Sequence, residues 1–281
     1  MKAGCCPARF PMAGLLRVLC LAGLTFVATT IEPARAGADV AGLWSPIGPP
    51  GGVVTTLVAD PQQPQVLYAG TLVGGVFKSV DGGLHWTHVT PDLPYDVGGT
   101  GYPRIFSIAV DPTNSANLFI SAPELLFRST DGGLHVTALP KPIVSGGTFN
   151  VLLTNTQRPG ELFAANSAYN GYVYRSTDNG QSWALYTQGM IGTVQALAVD
   201  GSGLCATTTT GFYRRGPSSN WTRPGDLPAG VVQDLSDGSS AMYLSTSQGC
   251  FTSLDGGAQW DKLEMPTVGP IFRIGQDGAG H

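Results

Sequence analysis

Charge is what this chain lacks most: only 12% of its 281 residues are Asp, Glu, Lys or Arg. A disordered chain is rich in charge and poor in apolar side chains. With 42% hydrophobic residues and a mean hydropathy of +0.09, that class is excluded. Cysteine is scarce as well. Cys5, Cys6 and Cys20 fall in the first 36 residues and only Cys205 and Cys250 follow, so the fold is no disulfide scaffold. The histidines His85, His88, His135 and His281 have no third ligand at metal spacing, and neither a metal nor a cofactor is expected. Helical spacing of apolar residues is absent throughout. No clean apolar run reaches the roughly 20 residues that a membrane-spanning helix needs. What the chain has in abundance is Gly (39 residues) and Pro (21 residues), set between short β-branched and aromatic runs. That composition suits many short strands joined by tight turns.

Residues 1–36 read as a targeting segment. Lys2 and Arg9 precede the apolar run Val18 to Ala28, and Ala34-Arg35-Ala36 has the A-x-A form of a cleavage site. Met12 also begins a complete signal. Leu19 stands before Cys20 where a lipid-attachment signal wants a small residue, which argues against a lipid anchor. The expectation is a signal peptide over 1–36, one domain over 37–281, and a secreted or periplasmic product. Residues 37–281 keep 11 basic and 18 acidic side chains. This acidic balance argues against nucleic acid and anionic membranes as partners.

One phrase recurs: SVDGGLHW from Ser79, STDGGLHV from Ser129, STDNGQSW from Ser176 and SLDGGAQW from Ser253, with a decayed copy, RRGPSSNW, ending at Trp221. Asp81, Asp131 and Asp178 are 50 and 47 residues apart, and Trp183, Trp221 and Trp260 are 38 and 39 apart. This is the length of a four-stranded propeller blade. Around each copy the rest of the unit repeats. An inner strand reads VTTLVAD, IFSIAVD, FNVLLTN and VQALAVD. A second reads LYAG, LFIS, LFAA, LCAT and MYLS, and a third reads GVFKS, LLFRS, YVYRS, GFYRR and GCFTS. The fourth opens on the Trp.

The S-x-D-x-G-x-x-W phrase resembles the Asp box of the bacterial-neuraminidase-type repeat proteins, which include sialidases, sortilin-like propellers and photosystem II assembly factors. The resemblance covers nearly all of residues 43–281 and implies an all-β propeller of four-stranded blades. For function it implies little, because one scaffold hosts hydrolases and pure binding proteins alike. The box itself has an architectural reading. Asp81, Asp131, Asp178 and Asp255 bond backbone N–H groups of their own hairpins. Trp86, Trp183, Trp221 and Trp260 pack between neighbouring sheets, with Val136 replacing Trp in the second copy.

Leu43 to Pro50 aligns with His85 to Asp92 and so reads as a fourth strand with no first three before it. At the other end only an inner strand follows the last box, Ile271 to Asp277. The expectation is therefore five full blades and an incomplete sixth, in a chain truncated at its C-terminus. Unpaired sheet edges of that kind invite self-association.

Several residues are candidates for chemistry. FRIG at Phe272 resembles the F-R-I-P motif of sialidases, whose arginine binds a substrate carboxylate. It lies at the wrong end of the chain, and Arg273 is also the third residue of a repeated strand. Asp234 shares that strand position and pairs with Arg273 as a structural ion pair or a ligand contact. A glycosidase needs two carboxylates about 5–10 Å apart on one face. On the face opposite the boxes the acids are Asp92, Asp96, Glu124, Asp226 and Asp234, and no pair stands out. Lys78, Arg128, Arg175 and Arg214 recur on the third strand, read as a cationic ring or, more plainly, as solvated heads on apolar stems. The longest between-blade loop, Thr90 to Arg104, and the segment Ala165 to Tyr172 bring Tyr95, Tyr102, Arg104, Tyr169, Asn166 and Asn170 to the face opposite the boxes. Such a polar-aromatic surface suits a peptide or a sugar; loops packing on themselves are the plainer reading. The function expected is an exported, non-enzymatic propeller binding a protein or glycan through that face. A glycoside hydrolase of sialidase or xyloglucanase type and an assembly factor for a membrane complex are the alternatives.

Overall fold

A computed structural model describes residues 47–49, 52–94, 101–142, 148–166, 171–200, 203–216, 220–228, 232–237 and 241–264. The first blade is β1 (Val54–Ala59), β2 (Leu67–Thr71), β3 (Val76–Ser79) and β4 (Thr87–Val89). The second is β5 (Ser107–Val110), β6 (Leu118–Ala122), β7 (Leu125–Ser129) and β8 (Thr137–Ala138). The third is β9 (Phe149–Thr154), β10 (Leu162–Asn166), β11 (Val173–Ser176) and β12 (Ala184–Leu185). The fourth has β13 (Val194–Asp200), β14 (Gly203–Thr208) and β15 (Gly211–Arg215). The fifth is β16 (Val232–Asp237), β17 (Met242–Thr246), β18 (Gly249–Ser253) and β19 (Asp261–Lys262). Each sheet is antiparallel in sequence order, and the whole is a five-bladed all-β propeller.

The inner strands pack in succession, β1 on β5, β5 on β9, β9 on β13 and β13 on β16. Short polar side chains tie them together. Thr55 Oγ1 donates to the Ile105 carbonyl (2.5 Å), Thr154 Oγ1 to Val110 (2.8 Å) and Asn150 Nδ2 to Val194 (3.3 Å), while Ser107 Oγ accepts the Leu152 N–H (3.0 Å). Four apolar clusters fill the seams between consecutive blades. Tyr68, Phe119, Phe149 and Phe212 are fully buried there, each stabilising the fold by about 1.5–3 kcal/mol. Cys205 and Cys250 belong to the same interior and are not joined.

Blade four stops at three strands for a reason visible in its residues. In blades two, three and five, Leu139, Tyr186 and Leu263 each donate an N–H to the third strand, at Leu126 (2.8 Å), Val173 (2.7 Å) and Cys250 (2.9 Å). The corresponding residue of blade four is Pro224, which has no N–H to give. Only the bridge between Arg214 and Thr222 remains.

The residue three past the Trp position of the first and second boxes leans onto the box of the next blade. Gly133 and Gly180 adopt left-handed φ (99° and 84°), and a Cβ there would lie 3.2 Å from Val89 and 2.7 Å from Leu139. Ile47 sits against Gly83 in the same way, and its carbonyl accepts the Trp86 indole N–H at 2.6 Å. Tyr186 receives the same bond from Trp221 at 2.6 Å. Ile47 thus stands to the first box as Val89 stands to the second, the position it has in the alignment of Leu43–Pro50 with His85–Asp92. Trp44 and the expected inner strand Ile271–Asp277 lie outside the described residues.

Candidate functional site

The box hairpins and the first-to-second strand turns share one face, because Gly82, Gly132 and Asn179 donate N–H bonds to Gln65, Ala116 and Gly160. Within each complete box the bonding is the same. Ser176 Oγ donates to Asp178 Oδ1 (2.7 Å) and accepts the Gly180 N–H (2.8 Å), while Asp178 Oδ1 accepts the Ser182 N–H (2.9 Å). Ser79 with Asp81, Ser129 with Asp131 and Ser253 with Asp255 repeat this set. These bonds hold all four carboxylates below the usual range. Asp178 falls to about 2, chiefly through the Ser182 hydroxyl and backbone. Asp81, Asp131 and Asp255 are lowered first by the backbone N–H of His85, His135 and Gln259. A carboxylate this committed to turn donors is a poor proton acceptor, so the boxes serve architecture.

Several of the other described acids are also engaged. Asp60 accepts from Gln62 (2.8 Å) and Ser115 (2.8 Å), and Asp111 from Thr113 (2.9 Å) and Asn117 (3.1 Å). Asp92 was expected on the face opposite the boxes. Instead Asp92 Oδ2 lies 2.7 Å from His135 Nδ1 of the second box, because the connection leaving β4 first leans onto the next blade: Thr90 donates its N–H to the Gly133 carbonyl at 2.6 Å. Asp226 pairs with Arg223 at 2.5 Å. A cavity of about 240 Å³ between the inner strands is lined by polar Thr56, Ser107, Asn150, Thr154 and Gln195 together with aliphatic side chains, and by no charged residue among those described.

On the face opposite the boxes, four expected site residues have described side chains. Arg104 is exposed, its guanidinium 4.7 Å above the Phe106 ring, and Glu124 is exposed at a turn, 3.9 Å from Lys141. Asn166 is completely buried and Tyr102 packs into the seam of blades one and two. Tyr95, Tyr169, Asn170 and Arg273 lie outside the described residues. Asp234 is placed by its backbone opposite Ser245, as Thr56 is opposite Gly70 and Ser107 opposite Ser121.

The third-strand cations do not form a free ring. Lys78 stands over Tyr68 (5.2 Å) and Arg128 over Phe119 (5.8 Å), while Arg214 Nη1 donates to the Gly256 carbonyl (2.8 Å). Two of these charged heads lie over second-strand aromatics and the third is bound to a backbone carbonyl of the next blade.

A different cluster gathers at the seam of blades three and four. Arg215 lies 3.6 Å from the Tyr186 ring centre and donates through Nη1 to the Tyr186 carbonyl (3.2 Å); its Nε is buried with no hydrogen-bond partner. Arg175 lies 5.5 Å from the same ring centre and is ion-paired with buried Glu161, which also receives Asn155. Arg158 is 3.9 Å from Glu161. Among the described side chains, three guanidinium groups and one carboxylate gather here, a cationic cluster within an acidic chain. The third-strand reading GFYRR puts Arg215 in the serine column, and the register agrees: Leu204 faces Arg215 just as Leu67, Leu118, Leu162 and Met242 face the box serines. Arg215 was passed over because that column holds turn-forming serines in the other copies. With the box Asp lost from this copy, the arginine has no turn carboxylate to answer it.

No known protein-family profile matches the chain. It is 27% identical over 223 residues to a photosystem II assembly lipoprotein, Ycf48, of Synechococcus sp. (strain CC9902), covering 70% of this chain and 60% of that relative. Among solved structures it is similar to YCF48 bound to D1 peptide, with a TM-score of 0.56 at 17% identity over 75% of this chain and 66% of the other. YCF48 from Cyanidioschyzon merolae gives 0.60 at 16% identity, over 79% and 76%. The GH74 xyloglucanase from Xanthomonas campestris gives 0.61 at 19% identity, over 78% of this chain and 39% of the enzyme. At these identities the structural likenesses establish the propeller fold, and the chain spans under two thirds of the curated relative it matches.

Proposed function

We propose that this chain is an exported, non-catalytic propeller that binds a protein partner, as an assembly or docking factor, and that an extended acidic segment of the partner docks at the seam of blades three and four. The observation that carries this reading is Arg215 over Tyr186, a cation with an unpartnered Nε. Guanidinium groups stacked on an aromatic ring are pre-organised for carboxylates and carbonyls. The relative whose sequence aligns along most of the chain is an assembly lipoprotein, and a structure of the same name holds a peptide. That supports both a protein ligand and a compartment outside the cytoplasm. The hydrolase reading draws on the GH74 likeness, but most of the described carboxylates are taken up by turns and ion pairs. A second surface, the face opposite the boxes, is proposed for a protein or glycan on the exposure of Arg104 and Glu124.

The test uses fluorescent peptides rich in Asp and Glu and matched neutral peptides. Acidic peptides bind and neutral ones do not; Arg215→Ala weakens binding about tenfold, roughly 1.4 kcal/mol, and added salt weakens it further. Equal affinity of wild type and Arg215→Ala, or no binding by wild type, sinks the seam. Loss on Arg104→Ala instead moves the site to the opposite face.

A further inference from the structure

The connection that leaves β4 for the second blade is held down by an aromatic stack. His88, on β4, sits edge-on to Phe77 (centroids 5.3 Å) and tilted against Tyr102 (4.7 Å). Gly75 closes the third side. It adopts a left-handed φ of 72°, and a Cβ there would lie 3.1 Å from His88 Nε2 and 3.2 Å from Tyr102 Cγ, so nothing larger fits. His88 Nε2 is buried with no hydrogen-bond partner. Tyr102 then anchors the backbone. Its N–H donates to the Val73 carbonyl (3.2 Å), and Ile105 donates to Thr71 (3.0 Å).

We propose that His88 is a proton-sensitive wedge: neutral, it seats Tyr102 and the connection against blade one, and protonated, it drives them off and remodels the face opposite the boxes. The physical ground is that a charged imidazole would appear half-buried inside an aromatic stack, where Nε2 makes no hydrogen bond and the Gly74 carbonyl offers only a weak pull. Among the described residues, the charged groups on the surrounding elements are engaged elsewhere. On β3, Lys78 is turned to Tyr68; on the connection, Arg104 lies over Phe106 and Asp92 is bound to His135; on the strand's own approach, His85 is bound to Asp81. The turn Leu72–Gly75 carries no charge, and Tyr102 itself is an aromatic neighbour. Tyr95 and Asp96 lie outside the described residues. Burial lowers the His88 pKa, against a smaller upward pull from the Gly74 carbonyl. This inference is independent of where a partner docks.

Two measurements on the whole chain decide it. By NMR, the His88 ring titrates below the ordinary histidine value of about 6.5. Backbone exchange at Tyr102 and Ile105, corrected for its intrinsic pH dependence, accelerates about tenfold through the same midpoint. His88→Phe keeps an aromatic ring in the stack and removes the acid-induced acceleration. A midpoint at or above the ordinary value, as pairing with Asp96 would give, overturns the proposal. So does an acceleration that survives in His88→Phe, or none in the wild type. Should His88→Phe not fold, the wild-type titration and exchange together remain decisive.

Discussion

At the scale of single residues, the box serine matters as much as the aspartate that marks the motif. Ser176 is buried, gives its proton to Asp178 and accepts the N–H groups of Asp178 (3.3 Å) and Gly180 (2.8 Å). Replacing it leaves a buried glycine N–H without a partner, which costs about 1–3 kcal/mol. Ser176→Ala therefore lowers the denaturant midpoint, while Thr177→Ala, one residue on and exposed, leaves it unchanged. Equal losses from the two substitutions would remove the serine from the account. Its place was readable from the repeat, since four copies begin on Ser. Arg215 stands in the same column of GFYRR, but its stacking on Tyr186 was not readable, because that ring belongs to the preceding blade.

At the scale of elements, the blades were readable almost strand by strand. β-Branched and aromatic runs set between Gly, Pro and Asp mark most of the strands. β5 is the exception: the pattern begins it at Ile105, but pairing begins at Ser107, because Ile105 directs its N–H to Thr71 of the preceding blade. Contacts between blades were not readable, since they join residues far apart in the chain. The indole bond from Trp86 to the Ile47 carbonyl is one of them. Trp86→Phe keeps an aromatic ring and deletes the donor. The expected cost is about 1 kcal/mol, with faster proteolysis around Ile47 and little change in the exchange of β6. A Trp86→Phe protein whose cleavage pattern matches wild type shows that the carbonyl bond does not hold that segment. The second blade has Val136 in this column, and there the Asp92–His135 pair spans the seam. Both side chains are largely exposed, so that pair contributes little.

For the whole molecule, repetition makes acid sensitivity collective. Asp81, Asp111, Asp131, Asp178 and Asp255 are all held below their ordinary values by bonds that exist only in the folded turns. The unfolded chain therefore binds more protons than the native one once pH falls below about 4. Stability from these groups is complete above that point and is lost as pH drops through the folded values, about 2 for Asp178. His88 acts earlier and in the same direction: its folded value is lowered, so the unfolded state gains a proton first as pH falls below about 6.5. His135 opposes it. Its folded value is raised by Asp92, so its contribution is present at low pH and fades as pH rises through the folded value. With His135 exposed and His88 half-buried, the His88 loss is the larger. Thermal melts across pH should show a shallow decline below about pH 6.5 and a steep one below about pH 4. His88→Phe removes the shallow phase and leaves the steep one. A melting temperature flat from neutral pH down to about pH 3 would mean that the box carboxylates keep their bonds in the unfolded chain as well, and the turns would then no longer explain why the blades hold.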